Sequence, residues 1–257
     1  MIPRAKVGTY MFTTTNALVL REVRYKEADR ILTLLTSTDG KITVKARGAL
    51  RKGSKTAAAT QQLTYSEMTL FGNRGKWTVN EAVVKETFTG LRSDVENLAL
   101  GCYFAECLEA LSVEDQPEPA ILQLGLNSLY ALSRGLYPPE QIKAAFELRL
   151  MCLTGYTPAL SACPACGCQE MEQPVLSLTR GSVFCRSCAA GQDQLARLCP
   201  ASLAALRYIV SAPAKQLFSF RLEGEALQRL CAAAERYLLL QTERQFSTLS
   251  YWKNIRI

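Results

Sequence analysis

The chain has 257 residues, of which 48% are hydrophobic and 21% are charged, a composition that excludes a mainly disordered protein. The sequence contains no histidine, which excludes histidine-assisted catalysis and histidine metal ligands, and no apolar run of the ~18 residues that a membrane-spanning helix needs. The first residues lack the apolar stretch of a secretory signal, so we expect a cytoplasmic protein with reduced thiols, and Met11 is an alternative start.

The positive charge is concentrated in the first third of the chain. Residues 1–90 carry 15 Lys and Arg against 7 Asp and Glu, whereas residues 91–257 carry 15 against 16. A length of 257 residues suggests two domains, at ~150 residues each. The asymmetry favours a polyanion-binding module joined to a neutral one, although a charge cluster is often only a solvated face.

The first module has the period of β-strands. Ile42, Val44 and Ala46 alternate with polar residues and predict one buried face for the strand 41–47. Turn signals at 38–40 and 72–76 predict two hairpins. Five strands within about 75 residues indicate a small closed barrel, for which an OB-type topology is the commonest nucleic-acid-binding choice. The predicted strands are 18–25, 29–36, 41–47, 63–71 and 77–85.

After Gly90 apolar residues recur every three or four positions, which indicates helices. The sequence therefore predicts an α+β multidomain protein: an N-terminal five-stranded OB-type β-barrel in residues 1–88, followed by an α-helical domain in residues 89–257. The predicted helical segments are 95–111, 122–136, 142–153, about 200–210 and about 225–244.

Two CxxC pairs, separated by eighteen residues, predict a structural zinc element at about 160–192 within the helical domain. Gly167 permits the positive φ that lets backbone amides point at the sulfur atoms. Unmetalled thiols, two disulfides and an iron–sulfur cluster are the alternatives, and Cys168 competes with Cys166 as a ligand. The other five cysteines read as small core residues. The predicted ligands of one structural Zn²⁺ ion are Cys163, Cys166, Cys185 and Cys188.

A basic segment follows the third strand, and a basic hairpin tip lies between the fourth and fifth. The segment after the third strand contains Gly53-Ser-Lys, whereas a phosphate-binding loop requires the order Gly-Lys-Ser/Thr. This difference argues against nucleotide hydrolysis. No paired-carboxylate or nucleophile motif is visible, so we expect no catalytic residues and no enzyme. The predicted DNA-binding cations are Lys41, Lys45, Arg47, Arg51, Lys52, Lys55, Arg74 and Lys76, with Phe71 and Trp77 as the bases' stacking partners.

Several segments in this order resemble the bacterial recombination mediator family RecO. They are Ala17-Leu-Val-Leu-Arg-Glu-Val, Tyr25 to Thr36, Asp39-Gly-Lys, Lys45 to Ser54, the two cysteine knuckles with Phe184, and Glu243-Arg-Gln-Phe-Ser-Thr-Leu249.

The resemblance implies an amino-terminal OB fold, a helical domain and a structural zinc element that supports the fold. It also implies binding of single- and double-stranded DNA, annealing of complementary strands, and RecA loading together with RecR and single-strand-binding protein, in the nucleoid-associated cytoplasm. The alternative is a zinc-ribbon/OB RNA-binding or transcription-associated protein. A nuclease and a scaffold that binds only protein are rivals from other classes.

Overall fold

A computed structural model describes residues 11–73 and 75–256. The predicted DNA-binding residue Arg74 lies outside these residues. The chain forms two compact units, of which one contains the described residues up to Leu129 together with Thr248 onward, and the other is Tyr130–Ser247. Within the described residues, no helix is both long and apolar enough to cross a membrane.

The first unit contains a closed five-stranded barrel in the order β1-β2-β3-β5-β4. Neighbouring strands are antiparallel except β3 and β5, which pair in parallel at Val44–Trp77 and Lys45–Thr78. This confirms the predicted OB-type barrel, which is closed by the short parallel pairing of β3 with β5. The strands are β1 Met11–Tyr25, β2 Asp29–Thr36, β3 Gly40–Ala46, β4 Tyr65–Asn73 and β5 Lys76–Glu86.

The barrel interior is filled by the apolar half of each alternating strand. Ile42, Val44 and Ala46 are buried, as predicted, among the core residues contributed by the other strands. Two predicted strand starts were wrong. β1 begins at Met11 rather than at residue 18, because its first residues pair with β4 although their sequence does not alternate. β4 begins at Tyr65, because Leu63 has a φ of 61° and forms a turn.

Helices α1 Thr89–Arg92, α2 Val95–Leu111 and α3 Pro119–Ser133 follow the barrel. Asp94 caps α2 by accepting from the backbone N–H groups of Glu96 and Asn97, at 2.8 and 3.0 Å. The helix predicted to reach residue 136 ends at Ser133, because Gly135 takes a φ of 59° and the Leu136 N–H bonds back to the Ala131 carbonyl.

The compact unit that contains the barrel extends beyond the last strand, which ends at Glu86. Helix α2 packs on β1 and β2, and the Nζ of Lys41 donates 2.8 Å to the carbonyl of Glu109 in that helix. A short helix that the sequence did not predict, α7 Ser247–Ile255, buries Trp252, and the side chain of Glu106 accepts from the backbone N–H of Thr248.

The second unit combines helices with a small sheet in the order β7-β6-β8. Helices α4 and α6 enclose Lys143, whose Nζ lies 2.7 Å from Glu147 and 2.8 Å from Glu235. Its elements are α4 Pro139–Leu153, β6 Pro174–Ser177, β7 Ser182–Cys185, β8 Leu195–Arg197, α5 Pro200–Ser211 and α6 Gly224–Thr242.

Candidate metal centre and nucleic-acid interface

The two CxxC pairs of the second unit come together in space. The Sγ atoms of Cys163, Cys166, Cys185 and Cys188 all lie within 4.8 Å of one another, and those of Cys166 and Cys185 are 3.7 Å apart. Four converging thiols at this spacing can hold one metal ion. Four protein ligands complete a tetrahedron, which leaves no open position for substrate or water.

Backbone turns present the sulfur atoms. In the first knuckle Gly167 has a φ of 74°, and its N–H donates to the Cys163 carbonyl at 2.8 Å. In the second, which begins at the last residue of β7, the N–H groups of Cys188 and Ala189 donate to the Cys185 carbonyl at 3.0 and 2.9 Å. The predicted role of Gly167 as a positive-φ residue is therefore confirmed.

Cys168, the competing ligand, is placed outside the quartet. Its thiol donates 2.9 Å to the carbonyl of Glu170. The geometry therefore favours Cys166 over Cys168 as the fourth ligand.

The thiols of the cluster differ in acidity. Burial raises the pKa of Cys163, but the backbone N–H groups of Cys185, Ala165 and Cys166 outweigh burial and lower this pKa to about 6. Burial and the neighbouring thiols of Cys166 and Cys168 raise the pKa of Cys185 to about 12. The Cys163 thiol therefore ionises readily, whereas ionisation of Cys185 is unfavourable. A cation at the centre of the cluster would stabilise both thiolates and offset this cost.

An arginine that the sequence analysis missed anchors the first knuckle. Arg207 in α5 donates to the carbonyls of Leu160, Ser161 and Gln169, at 2.7, 3.0 and 2.9 Å. These carbonyls lie on both sides of the first knuckle, so one guanidinium fixes both ends of the loop. Nothing local in the sequence marks Arg207, because its partners lie about forty residues away.

On the barrel, the connection between β3 and β4 carries a cluster of exposed cations. Backbone contacts hold its start against the β1–β2 turn: the Gly48 N–H donates 2.8 Å to Asp29 Oδ1, and the Leu50 N–H donates 2.9 Å to the Ala28 carbonyl. Among the described residues, none of these cations forms an ion pair with a carboxylate within 4 Å, although Arg51 is near enough to help lower the pKa of Asp29. We call them the loop cations: Arg47, Arg51, Lys52 and Lys55.

Two predicted DNA-binding lysines of β3 have partners within the protein. Lys41 donates to the Glu109 carbonyl, as described above, whereas Lys45 lies 2.9 Å from Asp29 Oδ2 and 4.8 Å above the centre of the Tyr25 ring. Lys26 lies over the same ring at 5.7 Å. Tyr25 is therefore an aromatic residue that the fold places next to the cations around β3.

The two predicted stacking residues lie on opposite faces of the sheet. Trp77 is opposite Gly72 in the register and packs against the barrel core, with so little room that a Cβ on Gly72 would meet its ring at 2.8 Å. Phe71 pairs with Thr78 and lies on the outer face, on the same strand pair as Lys76, which is exposed. The two rings therefore do not form one platform.

Phe71 instead has an aromatic neighbour that the sequence analysis missed. Phe12 pairs with it across β1 and β4, the ring centroids are 5.1 Å apart, and Phe12 is 63% exposed. Phe12 precedes the first predicted strand, so only the register of β1 with β4 reveals the pair.

These features define an α+β protein that joins an OB-type barrel with a cationic connection to a helical unit carrying a four-cysteine cluster. Residues 11–88 match the family model "Recombination protein O N terminal", and residues 92–250 match "Recombination protein O C terminal". The chain therefore belongs to the RecO family of DNA repair proteins.

Several curated relatives are similar to this chain over nearly their whole length. The chain is 34% identical over 244 residues to the DNA repair protein RecO of Acetivibrio thermocellus. These residues make up 95% of this chain and 97% of the relative. It is 31% identical over 248 residues to the protein of that name from Symbiobacterium thermophilum, covering 94% and 96%. For Desulforudis audaxviator the identity is 33% over 247 residues, covering 95% and 97%.

Proposed function

We propose that this chain is a recombination mediator that binds single- and double-stranded DNA through its barrel and anneals complementary strands without a covalent step. The observation that carries the proposal is the group of four loop cations, which are exposed and form no ion pair with a carboxylate within 4 Å among the described residues. Unpaired lysine and arginine side chains displace the counterions condensed on nucleic-acid phosphates. The release of these counterions favours binding to any nucleic-acid sequence. Membership of a DNA repair family supports DNA as the ligand.

Annealing follows from the same electrostatics. Two complementary strands repel each other through their phosphates, and a protein that neutralises part of that charge lowers the repulsion while base pairing supplies the driving force. The chain needs only to hold strands with the bases accessible. We therefore propose that it acts without a catalytic residue and without ATP.

The partners belong to the same proposal. The resemblance to RecO, supported by the family match, implies cooperation with RecR and single-strand-binding protein, and through them RecA loading at gaps and breaks in the nucleoid. We further propose that the four-cysteine cluster holds one Zn²⁺ ion. An all-thiolate set suits zinc, and full coordination by protein gives this ion a structural role.

The test measures affinity for fluorescent single strands as a function of salt. The test variant reverses the four loop cations to Glu, and Lys45 is left intact because it pairs with Asp29. Each lost phosphate contact reduces the slope of log affinity against log salt by ~0.7, so the slope should become shallower by about 3. A matched control reverses four exposed cations of the second unit: Arg180, Lys215, Arg221 and Arg244.

We expect strong loss of binding and of strand annealing in the loop variant, and much smaller losses in the control. Equal losses in both would show that net charge, not the loop, controls binding and would overturn the proposal. RNA outcompeting DNA would favour the RNA-binding alternative instead. Cleavage of a labelled strand that requires an added divalent metal ion would contradict a non-enzymatic role.

A further inference from the structure

We infer that Phe12 and Phe71 form a platform on which unpaired bases stack, and that this platform gives the barrel a preference for single strands; the inference rests on the proposed function. The rings lie on the outer face of β1 and β4 with centroids 5.1 Å apart and an interplanar angle of 48°. Phe12 is 63% exposed, although an aromatic side chain normally gains free energy by burial.

The barrel register connects this platform to the cations around β3. Phe12 pairs with Phe71, Phe71 with Thr78, and Thr78 with Lys45, so the four positions form one row across the outer face of β1, β4, β5 and β3. With strands ~4.8 Å apart, the row spans about 14 Å. Lys45 is paired with Asp29, so the exposed Lys76 beside the row is the lysine left to contact phosphates while the bases lie over the two rings. This arrangement fits within the ~4–16 nucleotides that one OB barrel binds.

The charges on either side of the row fix where the phosphates go. Toward the β4–β5 tip, the next outward pair is Asn73 and Lys76. In the opposite direction, Thr69 pairs with Glu81, and beyond it lies Glu67, which is paired with Lys85 at 3.1 Å. The sugar–phosphate backbone is therefore favoured on the Lys76 side of the rings and opposed on the Glu81 side.

This combination of a ring surface and flanking cations favours single-stranded DNA over a protein or a duplex. The exposed Phe12 ring, the half-buried Phe71 ring and the nearby Lys76 match a ligand that is itself alternately aromatic and anionic. In a duplex the faces of the bases are covered by their neighbours, so the bases cannot stack on protein rings, although their edges stay accessible in the grooves. The rings should therefore strengthen single-strand binding and leave duplex binding unchanged.

The experiment compares three labelled ligands at equal length: oligothymidylate of about 15 nucleotides, the same strand with abasic sites in place of bases, and a duplex. The variant is Phe12→Ala, and the control is Val83→Ala, a 65% exposed apolar residue on the outer face of β5. Stacking on one aromatic residue is worth about 5- to 150-fold in affinity. Phe12→Ala should weaken oligothymidylate binding by at least about fivefold, and binding of the other two ligands by less than twofold.

Val83→Ala should leave all three affinities unchanged, and melting curves should show both variants folded. Equal weakening of the three ligands by Phe12→Ala, or no weakening at all, would overturn the inference. Equal affinity of the native protein for the abasic strand and for oligothymidylate would also overturn the inference. That result would leave the proposed function intact. A native protein that binds none of the three refutes the proposed function itself. A change in oligomeric state of Phe12→Ala would show that the rings contact a second copy and would overturn the inference.

Discussion

The two carboxylate oxygens of Asp29 each have a partner: Oδ2 lies 2.9 Å from Lys45 Nζ, and Oδ1 accepts a hydrogen bond of 2.8 Å from the Gly48 backbone N–H. Asp29 begins β2, Lys45 is near the end of β3, and Gly48 belongs to the connection that bears the loop cations. One acidic residue therefore fastens the start of the cationic loop to the barrel.

The Asp29 carboxylate should stabilise the fold only while it is ionised. The Gly48 N–H and the Lys45 side chain lower the pKa of Asp29 from 3.8, against the opposing effect of desolvation. A pKa lowered by folding adds stability that is fully present above 3.8 and is lost as pH falls through the folded-state value. Asp29→Asn should therefore lower the melting temperature near neutral pH, with the deficit shrinking below pH 3.8.

Melting curves by circular dichroism across this pH range provide the measurement. Asp39→Asn is the control, because Asp39 accepts from the Thr38 hydroxyl and has no cation partner among the described residues. Its effect should not follow the same pH profile. A deficit for Asp29→Asn that is constant from neutral pH to pH 3 would contradict the role assigned to the carboxylate.

Metal content should depend on Cys163 and not on Cys168. The first lies in the quartet, whereas the thiol of the second donates to the Glu170 carbonyl. Cys163→Ser should lose tightly bound metal and make the segment 160–192 sensitive to protease, because metal binding and folding of such elements are coupled. Cys168→Ser should retain one ion per chain.

Elemental analysis after dialysis gives the stoichiometry, and the charge-transfer band of the Co²⁺-loaded protein reports how many thiolates ligate the ion. A full tetrathiolate spectrum is expected for Cys168→Ser and for the native chain. If instead Cys166→Ser kept that spectrum while Cys168→Ser lost it, the fourth ligand would be Cys168.

Arg207 should raise metal affinity although it is not a ligand. It ties together the carbonyls of Leu160, Ser161 and Gln169, which flank the first knuckle. Outer residues that orient metal ligands are typically worth ~10–100-fold in affinity, so Arg207→Met should weaken metal binding by about that factor. Competition against a chromogenic chelator measures the change.

The matched control for this variant is Arg229→Met. Arg229 lies in α6 and donates to the Leu198 carbonyl, outside the two knuckles. Its loss should leave metal affinity within about twofold of the native value. Equal losses for both arginines would indicate general destabilisation of the second unit rather than support of the knuckle.

The features that could be predicted from the sequence are those that depend on residues close together in the chain. β3 alternates because one face is buried, and the ligands of each knuckle are three residues apart, so both were predictable. The row that joins Phe12 to Lys45 depends on three strand registers and could not be predicted. Trp77 and Phe71 flank the same hairpin, but which face each occupies follows from the pairing of β4 with β5.

Short elements and elements that depend on tertiary contacts also could not be predicted from the sequence. α7 has only nine residues, too few for a clear helical period, and burial of Trp252 accompanies it. Arg207 looks like any helical arginine until its three carbonyl partners are known. These features come from tertiary contacts between distant segments, which residue pattern alone does not encode.

Two glycines in left-handed backbone should differ sharply in their tolerance of alanine. Gly40, at φ 66°, closes the β2–β3 turn, and a Cβ there would lie 1.8 Å from the Gln116 carbonyl oxygen. Gly53, at φ 77°, has nothing within 4 Å of its Cβ position. The only cost of Gly53→Ala is that alanine must adopt the left-handed conformation, which lowers the free energy of unfolding by about 1–2 kcal/mol.

Gly40→Ala carries that same cost and must also displace the Gln116 backbone, so we expect a free energy of unfolding lower than that of Gly53→Ala by at least ~2 kcal/mol. Urea denaturation of both variants measures the difference. The Gly53 variant also tests the loop, because it places a methyl group between Lys52 and Ser54 without a clash and should leave DNA affinity within about twofold. Equal stability of the two variants would mean that the segment around Gln116 does not pack on the β2–β3 turn in solution.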